Sequence, residues 1–246
     1  MNFLVCNDDG YQGIGLQILV SELSKYGNCY VVTPNSEWSC SSQAMTLKDP
    51  IYLEEIEIKD AKKAYKISGL PSDCARIGLD IFDDIDIVFS GINSGNNLGT
   101  DIIYSGTVGA ATEALIAHVK SVAISTDFNR FEIVYKELPG LLKYLFNEGF
   151  DMISENYVLN INFPGRGFDC SKGIKYGFMG KRFFSSYFVK DENNPNVLLP
   201  KGDLLNNEED YGSDCYWHNL GYTTFSPIGL DRTNYKILNK FLENDK

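Results

Sequence analysis

The sequence predicts an α/β fold of Rossmann-like type: a doubly wound, mostly parallel sheet followed by an extended β-hairpin arm. Three observations predict it. Apolar strand-like runs alternate with helix-periodic segments over the first two-thirds of the chain. Polar loops rich in Asp, Asn, Ser and Gly follow those runs directly. After about Phe168 helical periodicity fades, and Gly, Tyr, Phe and Asn become frequent.

Asn2 to Cys6 reads as a buried strand broken by Asn7-Asp8-Asp9-Gly10. Leu16, Leu19, Val20 and Leu23 repeat at helical spacing within a helix expected from about Leu16 to Tyr26, with Gly27 as its C-cap. Cys29 to Val32 is the next strand, closed by Thr33-Pro34-Asn35. A strand, a loop, a helix and a strand in that order predict a parallel pair. Ile51 to Ile58 and Lys63 to Ile67 alternate polar and apolar residues like strands. Ser72 to Phe82 is expected as a helix, Asp86 to Ser90 as a buried strand, and Gly91 to Gly99 as a Gly-rich loop. A helix over Thr107 to His118, a strand over Ser121 to Ser125, a helix over Glu132 to Phe146 and a strand over Tyr157 to Phe163 complete the alternation. Phe183 to Val189 and Val197 to Leu199 flank the turn-rich Lys190 to Pro195 and read as a hairpin. Asn234 to Leu242 is the last expected helix. One domain is expected over 1–246: a core over 1–167, then the arm and C-terminal helix over 168–246. An arm with exposed aromatics needs a covering surface, which predicts an oligomer.

Composition excludes several classes. The chain has 246 residues, 43% of them hydrophobic, enough for a large single core. Its apolar runs are too short to span a bilayer, and no signal peptide is evident, so a cytoplasmic protein is expected. A formal charge of −11 argues against large nucleic acids as partners. The six cysteines are scattered without a CxxC pair and read as reduced thiols. With only two histidines, His118 and His218, a His-rich zinc site is not expected.

The chemistry lies in the loops. In open α/β sheets ligands bind beyond the carboxyl ends of the strands. Asp8 and Asp9, adjacent at the end of the first strand, would repel each other without a cation or protons between them. A hard cation such as Mg²⁺ or Mn²⁺ takes oxygen ligands of this kind. An Asp-Asp-Gly turn chosen for backbone reasons alone gives the same tetrapeptide. Ser39 follows the second strand and Asn93 a later one, so both loops should converge on the same sheet edge. Ser105 and Thr107 stand before a small-residue helix whose N-terminus suits a phosphate, or needs a plain Ser/Thr cap. No GxxxxGK[ST] P-loop and no GxGxxG occurs, which sets dehydrogenases aside.

Together these segments resemble the SurE family of metal-dependent 5′/3′-nucleotidases. The likeness rests on Asn7-Asp8-Asp9-Gly10, Ser68 to Cys74, Ser90-Gly91-Ile92-Asn93, Asn97-Leu98-Gly99 and Tyr104 to Val108. Asn160 to Pro164, Gly221-Tyr222 and Ser226-Pro227 add to it. The resemblance implies that Asp8, Asp9, Ser39 and Asn93 match the family's metal ligands and Asn97 an active-site asparagine. Ser105, Gly106 and Thr107 match a phosphate-binding turn. It also implies one divalent ion, Mg²⁺ or Mn²⁺, a nucleoside monophosphate substrate, and a homodimer or homotetramer joined through an exchanged arm.

The chain departs from the family pattern in two places. Gly13-Ile14-Gly15 stands where Ala-Pro-Gly is usual, and Ser36, Glu37 and Trp38 replace a basic, Asn-rich approach to Ser39, with Cys40 after it. The loss of basic groups supports an alternative reading, a catalytically weak nucleotide-binding or sensor protein. In the hydrolytic reading Asp8 accepts the proton of the attacking water, since no histidine lies in these loops. A covalent aspartyl-phosphate route is the rival, but that pattern wants two aspartates one residue apart. Trp38 is the aromatic best placed by sequence to meet a base; Tyr187, Phe188, Trp217 and Tyr222 read as core or subunit contacts.

Overall fold

The computed structural model describes residues 1–165, 167–185, 187–205 and 210–244. Ser186, inside the expected first hairpin strand, and 206–209 of the expected arm lie outside the described residues.

The first strand, β1 (Asn2–Cys6), shows how the sheet is covered. Its side chains alternate: Phe3 and Val5 enter one apolar cluster, Leu4 and Cys6 another. The first cluster is closed by Leu16, Leu19 and Leu23 of α1 (Ile14–Leu23) and by Leu138, Leu142 and Leu145 of α4 (Phe131–Asn147). The second is closed by Cys74 and Ala75 of α2 (Pro71–Ile81) and Ala110 and Ala114 of α3 (Gly106–Ile116). A strand buried on both faces reads as a continuous apolar run, as Phe3-Leu4-Val5-Cys6 does.

Five further strands join β1 in a parallel core: β2 (Asn28–Pro34), β4 (Lys63–Ile67), β5 (Ile87–Ser94), β6 (Lys120–Thr126) and β7 (Val158–Asn162). Their order is β4-β2-β1-β5-β6-β7, every neighbour parallel. The chain winds outward from β1 through β2 to β4, then returns to β5 on β1's other side. The switch point therefore falls between the carboxyl ends of β1 and β5, the crevice where such sheets bind ligands.

The sheet is wider than expected. A short antiparallel strand, β3 (Leu53–Glu55), edges β4. The alternation from Ile51 to Ile58 promises a longer strand. Only three residues pair, because the chain then turns so that Ile58 is buried while Lys59 and Asp60 face water. Beyond β7 come β11 (Thr223–Ile228), antiparallel, and β8 (Ile174–Tyr176), parallel to β11. Neither is expected from periodicity, nor is the short α5 (Asp214–Asn219): β8 and α5 are too brief to show a period, and β11, Thr-Thr-Phe-Ser-Pro-Ile, is mostly polar and carries a proline. The strand expected to stop at Ser90 continues through the Gly-rich segment to Ser94, with a register shift between Gly91 and Asn93. That shift suits a bulge at a functional edge.

The hairpin exists as β9 (Tyr187–Lys190) against β10 (Leu198–Lys201), a two-stranded sheet separate from the main one. The last helix, α6, spans Tyr235–Asn244. Among the described residues no helix is long and apolar enough to cross a membrane. All six cysteines are free thiols.

Candidate active site

The site starts with a turn that the sequence dictates. Gly10 has φ +82°, a conformation glycine adopts without strain, and its carbonyl accepts from Gly13 N at 3.0 Å and Asn7 Nδ2 at 2.8 Å. Thr33 Oγ1 at the end of β2 donates to Asn7 Oδ1 at 2.5 Å, tying the turn to the neighbouring strand. Thus Asn7 serves as a brace, and Asp8 and Asp9 are held beyond β1.

Asp8 is buried and touches the start of α3. The hydroxyl of Thr107 donates to its Oδ1 at 2.5 Å, and the Thr107 N–H to its Oδ2 at 3.2 Å. Burial pushes the Asp8 carboxyl up to about 7, the Asp9 charge adds to the rise, and the Thr107 hydroxyl opposes it. Asp9 Oδ2 accepts from Ser94 N at 3.3 Å, so the β5 end reaches this carboxylate directly. Burial also raises the Asp9 carboxyl, with Glu37 adding to the effect. Two adjacent carboxylates that burial makes costly to ionise are what a hard cation would relieve. Among the described residues no group of three or more His, Cys, Asp or Glu side chains could hold a metal. The donors that would meet a hard cation here are the two carboxylates and the neutral hydroxyl and amide oxygens beside them.

The second loop leans on the first. Trp38 N donates to Asp8 O at 2.8 Å, which ties the backbone of the second loop to that of the first, and the Trp38 side chain is exposed. Ser39 is exposed, and its hydroxyl donates to Glu37 Oε1 at 2.6 Å. That bond leaves the Ser39 lone pairs free to act as a ligand. The loop is pinned further along by Ser42 N to Tyr104 O at 2.9 Å, Ser42 Oγ to Ile103 O at 2.7 Å, and Gln43 Nε2 to Glu113 Oε1 at 2.6 Å. Glu113, buried on α3, also takes Arg76 at 3.1 Å. Asp73 closes the far end by accepting from Thr46 N and Leu70 N.

The third loop carries the asparagines. Asn93 Nδ2 donates to Gly95 O at 2.7 Å. Asn97 is buried and clamped: its N–H goes to Asn162 Oδ1, its carbonyl accepts from Asn160 and Asn162 Nδ2, and its own Nδ2 donates to Ser125 Oγ at 2.8 Å. What Asn97 still has to offer a reacting group is Oδ1 and a second Nδ2 hydrogen. The clamp explains Asn160-Ile161-Asn162 at the end of β7: period-two alternation points both amides at the loop while Ile161 faces the core.

The α3 N-terminus completes the arrangement. Ser105 Oγ accepts from Val108 N at 3.0 Å as the helix cap. Both polar groups of Thr107 go to Asp8. Of the residues expected to bind phosphate, Ser105 is a cap and Thr107 a brace for Asp8. The Gly106 N–H is one of the donors that a helix start leaves without an intrahelical acceptor. The structure thus brings Asp8, Asp9, Gly106 and Thr107 together, with Ser94 of β5 against Asp9. Ser39 lies on the second loop, bonded to Glu37, and Asn93 stands near the end of β5, bonded to Gly95. Sequence reading misses Ser41, whose buried Oγ has no partner, and it names Asn160 and Asn162 for the family likeness without their bracing role, which their hydrogen bonds to Asn97 reveal.

The model for "Survival protein SurE" matches residues 3–186. A protein named 5′-nucleotidase SurE from Clostridium botulinum (strain Loch Maree / Type A3) is 38% identical over 248 residues, covering 97% of this chain and 96% of that protein. Another of that name from Clostridium tetani (strain Massachusetts / E88) is 38% identical over 244 residues, covering 97% and 98%. Among solved structures, the SurE protein from Aquifex aeolicus superposes with a TM-score of 0.82 at 31% identity, covering all of both chains. With the family pattern matched over most of the chain and the fold shared throughout, this chain belongs to the SurE family.

Proposed function

We propose that this chain is a 5′-nucleotidase that hydrolyses nucleoside 5′- and 3′-monophosphates to nucleoside and phosphate, using one divalent cation, Mg²⁺ or Mn²⁺. The observation that carries the reading is the carboxylate pair at the sheet's switch point, with Asp8 against the N-terminus of α3 and Asp9 against the end of β5. Family membership and the name the relatives bear support the same activity. Asp8, Asp9, Ser39 and Asn93 would hold the cation, which when bound offsets phosphate charge and acidifies a water.

The chain's own residues do the rest. The Gly106 N–H and the positive end of α3 bind phosphate oxygens, and Ser105 shapes that turn. Asn97, clamped from behind, positions the water or a phosphate oxygen. Asp8 accepts the water's proton, as the carboxylate that the Thr107 hydroxyl and N–H hold at the start of α3. Trp38, exposed on the loop bonded to the Asp8 backbone, is the aromatic side chain proposed to meet the base or sugar. Hydrophobic stripes on α6 and the exposed hairpin fit a homodimer or homotetramer, and six free thiols fit the cytoplasm.

The test is phosphate release from a panel of nucleoside monophosphates with EDTA, Mg²⁺ or Mn²⁺. The expected outcome is metal-dependent release that Asp9→Ala reduces at least about 10³-fold, together with weakened metal binding by calorimetry, since the lost carboxylate supplies several kcal/mol. Nucleotide binding without release under every metal would favour the sensor reading. The carboxylate Glu37, bonded to Ser39, would then be the first residue to replace.

A further inference from the structure

We propose that the Ser41 hydroxyl is a ligand of the substrate's phosphate, an assignment that rests on the phosphatase reading of this site. The Ser41 Oγ is buried and has no hydrogen-bond partner. A buried hydroxyl without a partner costs stability, so its position calls for a ligand or a bound water.

Its location narrows the choice. A Cβ built on Gly106 would lie 2.5 Å from Ser41 Oγ and 3.1 Å from Asp8 Oδ2. The hydroxyl and the carboxylate therefore flank the first residue of α3, where the phosphate oxygens are proposed to sit. One turn later, a Cβ on Gly109 would lie 2.3 Å from Ser42 O and 3.1 Å from Gln43 Cα. Glycines at 106 and 109 thus give α3 a bare face on which the 41–43 segment lies. The fit is fixed by the bonds of Ser42 to Tyr104 and Ile103 and of Gln43 to Glu113.

The other hydroxyls at this turn already have work. Thr107 gives its proton to Asp8, and Ser105 accepts from Val108 N. Ser41 is the hydroxyl of the cluster with both donor and acceptor capacity unused. An O–H donor held rigidly beside a helix N-terminus can stabilise a phosphate monoester's oxygens, and more strongly as charge shifts onto them. The proposed step breaks only the P–O ester bond and adds water, so the Ser41 hydroxyl keeps its proton throughout.

The test compares the native chain with Ser41→Ala. The inhibition constant of inorganic phosphate should rise roughly 10-fold or more, and kcat/KM for 5′-AMP should fall by about 10- to 100-fold, as for loss of one hydrogen bond to a charged group. Calorimetric Mn²⁺ affinity should stay at its native value and the ligand-free Tm should stay level or rise, whereas a merely structural role for Ser41 would lower the Tm. Should Ser41→Ala fail to fold, Ser41→Cys keeps the size with a poor donor and should show the same loss. Native phosphate inhibition and native kcat/KM in a folded variant overturn the proposal. If the native chain releases no phosphate from any nucleotide, the phosphatase reading fails alone, provided calorimetry shows that inorganic phosphate binds with Mn²⁺ and that Ser41→Ala weakens it. A native chain that binds no inorganic phosphate sinks both.

Discussion

At the scale of single residues, the site is governed by what it costs to ionise two buried carboxyls side by side. Asp8 is pushed up to about 7 by burial and by Asp9, and Asp9 is raised by burial and by Glu37. Between the ordinary carboxylate value near 4 and about 7, the folded metal-free chain therefore holds a proton on Asp8 that the unfolded chain has released. Stability contributed by this group must fall as pH rises through that window and level off above it. Replacing it with Asn removes the titration. In EDTA, Asp8→Asn should lose less stability than the native chain between pH 5 and pH 8, by on the order of a few kcal/mol. Thermal unfolding at the two pH values checks this, and equal losses in the two proteins would show that Asp8 ionises freely. Saturating Mn²⁺ should reverse the native slope, because a cation favours the charged carboxylates. Asp8, Asp9, Ser39 and Asn93 could be nominated from sequence because polar residues directly after apolar strands sit where such sheets bind ligands. Ser41 could not, since a serine in a serine-rich loop carries no period; its meaning comes from the glycine face of a helix more than sixty positions away.

At the scale of elements, the central parallel strands and the four long helices were legible, because each is long enough to display its period. The lost elements lack an apolar run: β8 and α5 are short, β11 is mostly polar with a proline in it, and the two strands owe their structure to tertiary pairing. The most consequential element-level fact was half legible. Gly13 and Ile14 depart from the family's Ala-Pro, but Gly15 keeps its glycine, and the purpose of that glycine is geometric. A Cβ on Gly15 would come within 1.8 Å of Ile92 O, so α1 touches β5 backbone one residue before Asn93. No side chain can fit without moving one of them. Gly15→Ala should therefore destabilise the fold by roughly 1–3 kcal/mol or more, the usual cost of overpacking. It should also weaken Mn²⁺ binding, because shifting β5 carries Ser94 N away from Asp9 and moves Asn93. Chemical denaturation and calorimetry on one preparation test both effects. An unchanged denaturation midpoint would mean that α1 and β5 are not packed this closely.

At the scale of the whole molecule, the described surface is least reconciled with water at its C-terminal end. In α6, Ile237, Leu238, Phe241 and Leu242 fall at i, i+1, i+4 and i+5, one stripe of a helix, and all four are exposed. Ten residues make too short a helix to persist alone in water. Its polar face needs no help, but its apolar face must be covered for the helix to be worth forming. The hairpin β9–β10 poses the same question, with Tyr187, Phe188 and Leu198 exposed. A second copy of the chain offers cover to both at once, since closed symmetric pairs bury the same patch on each partner. The expected outcome is that the intact chain sediments as a dimer or tetramer, that a chain ending at Thr233 sediments as a smaller species, and that Phe241→Asp does the same without loss of helix in the core. Sedimentation of the intact chain as a monomer across the micromolar range would leave α6 without a partner, and both the oligomer and its exchanged arm would have to be given up. Activity adds a second readout: the carboxylate pair lies at the β1–β5 centre of the sheet and, among the described residues, draws none of its hydrogen bonds from α6, so a truncated monomer should keep its Mn²⁺ affinity if the partner contributes nothing to the site.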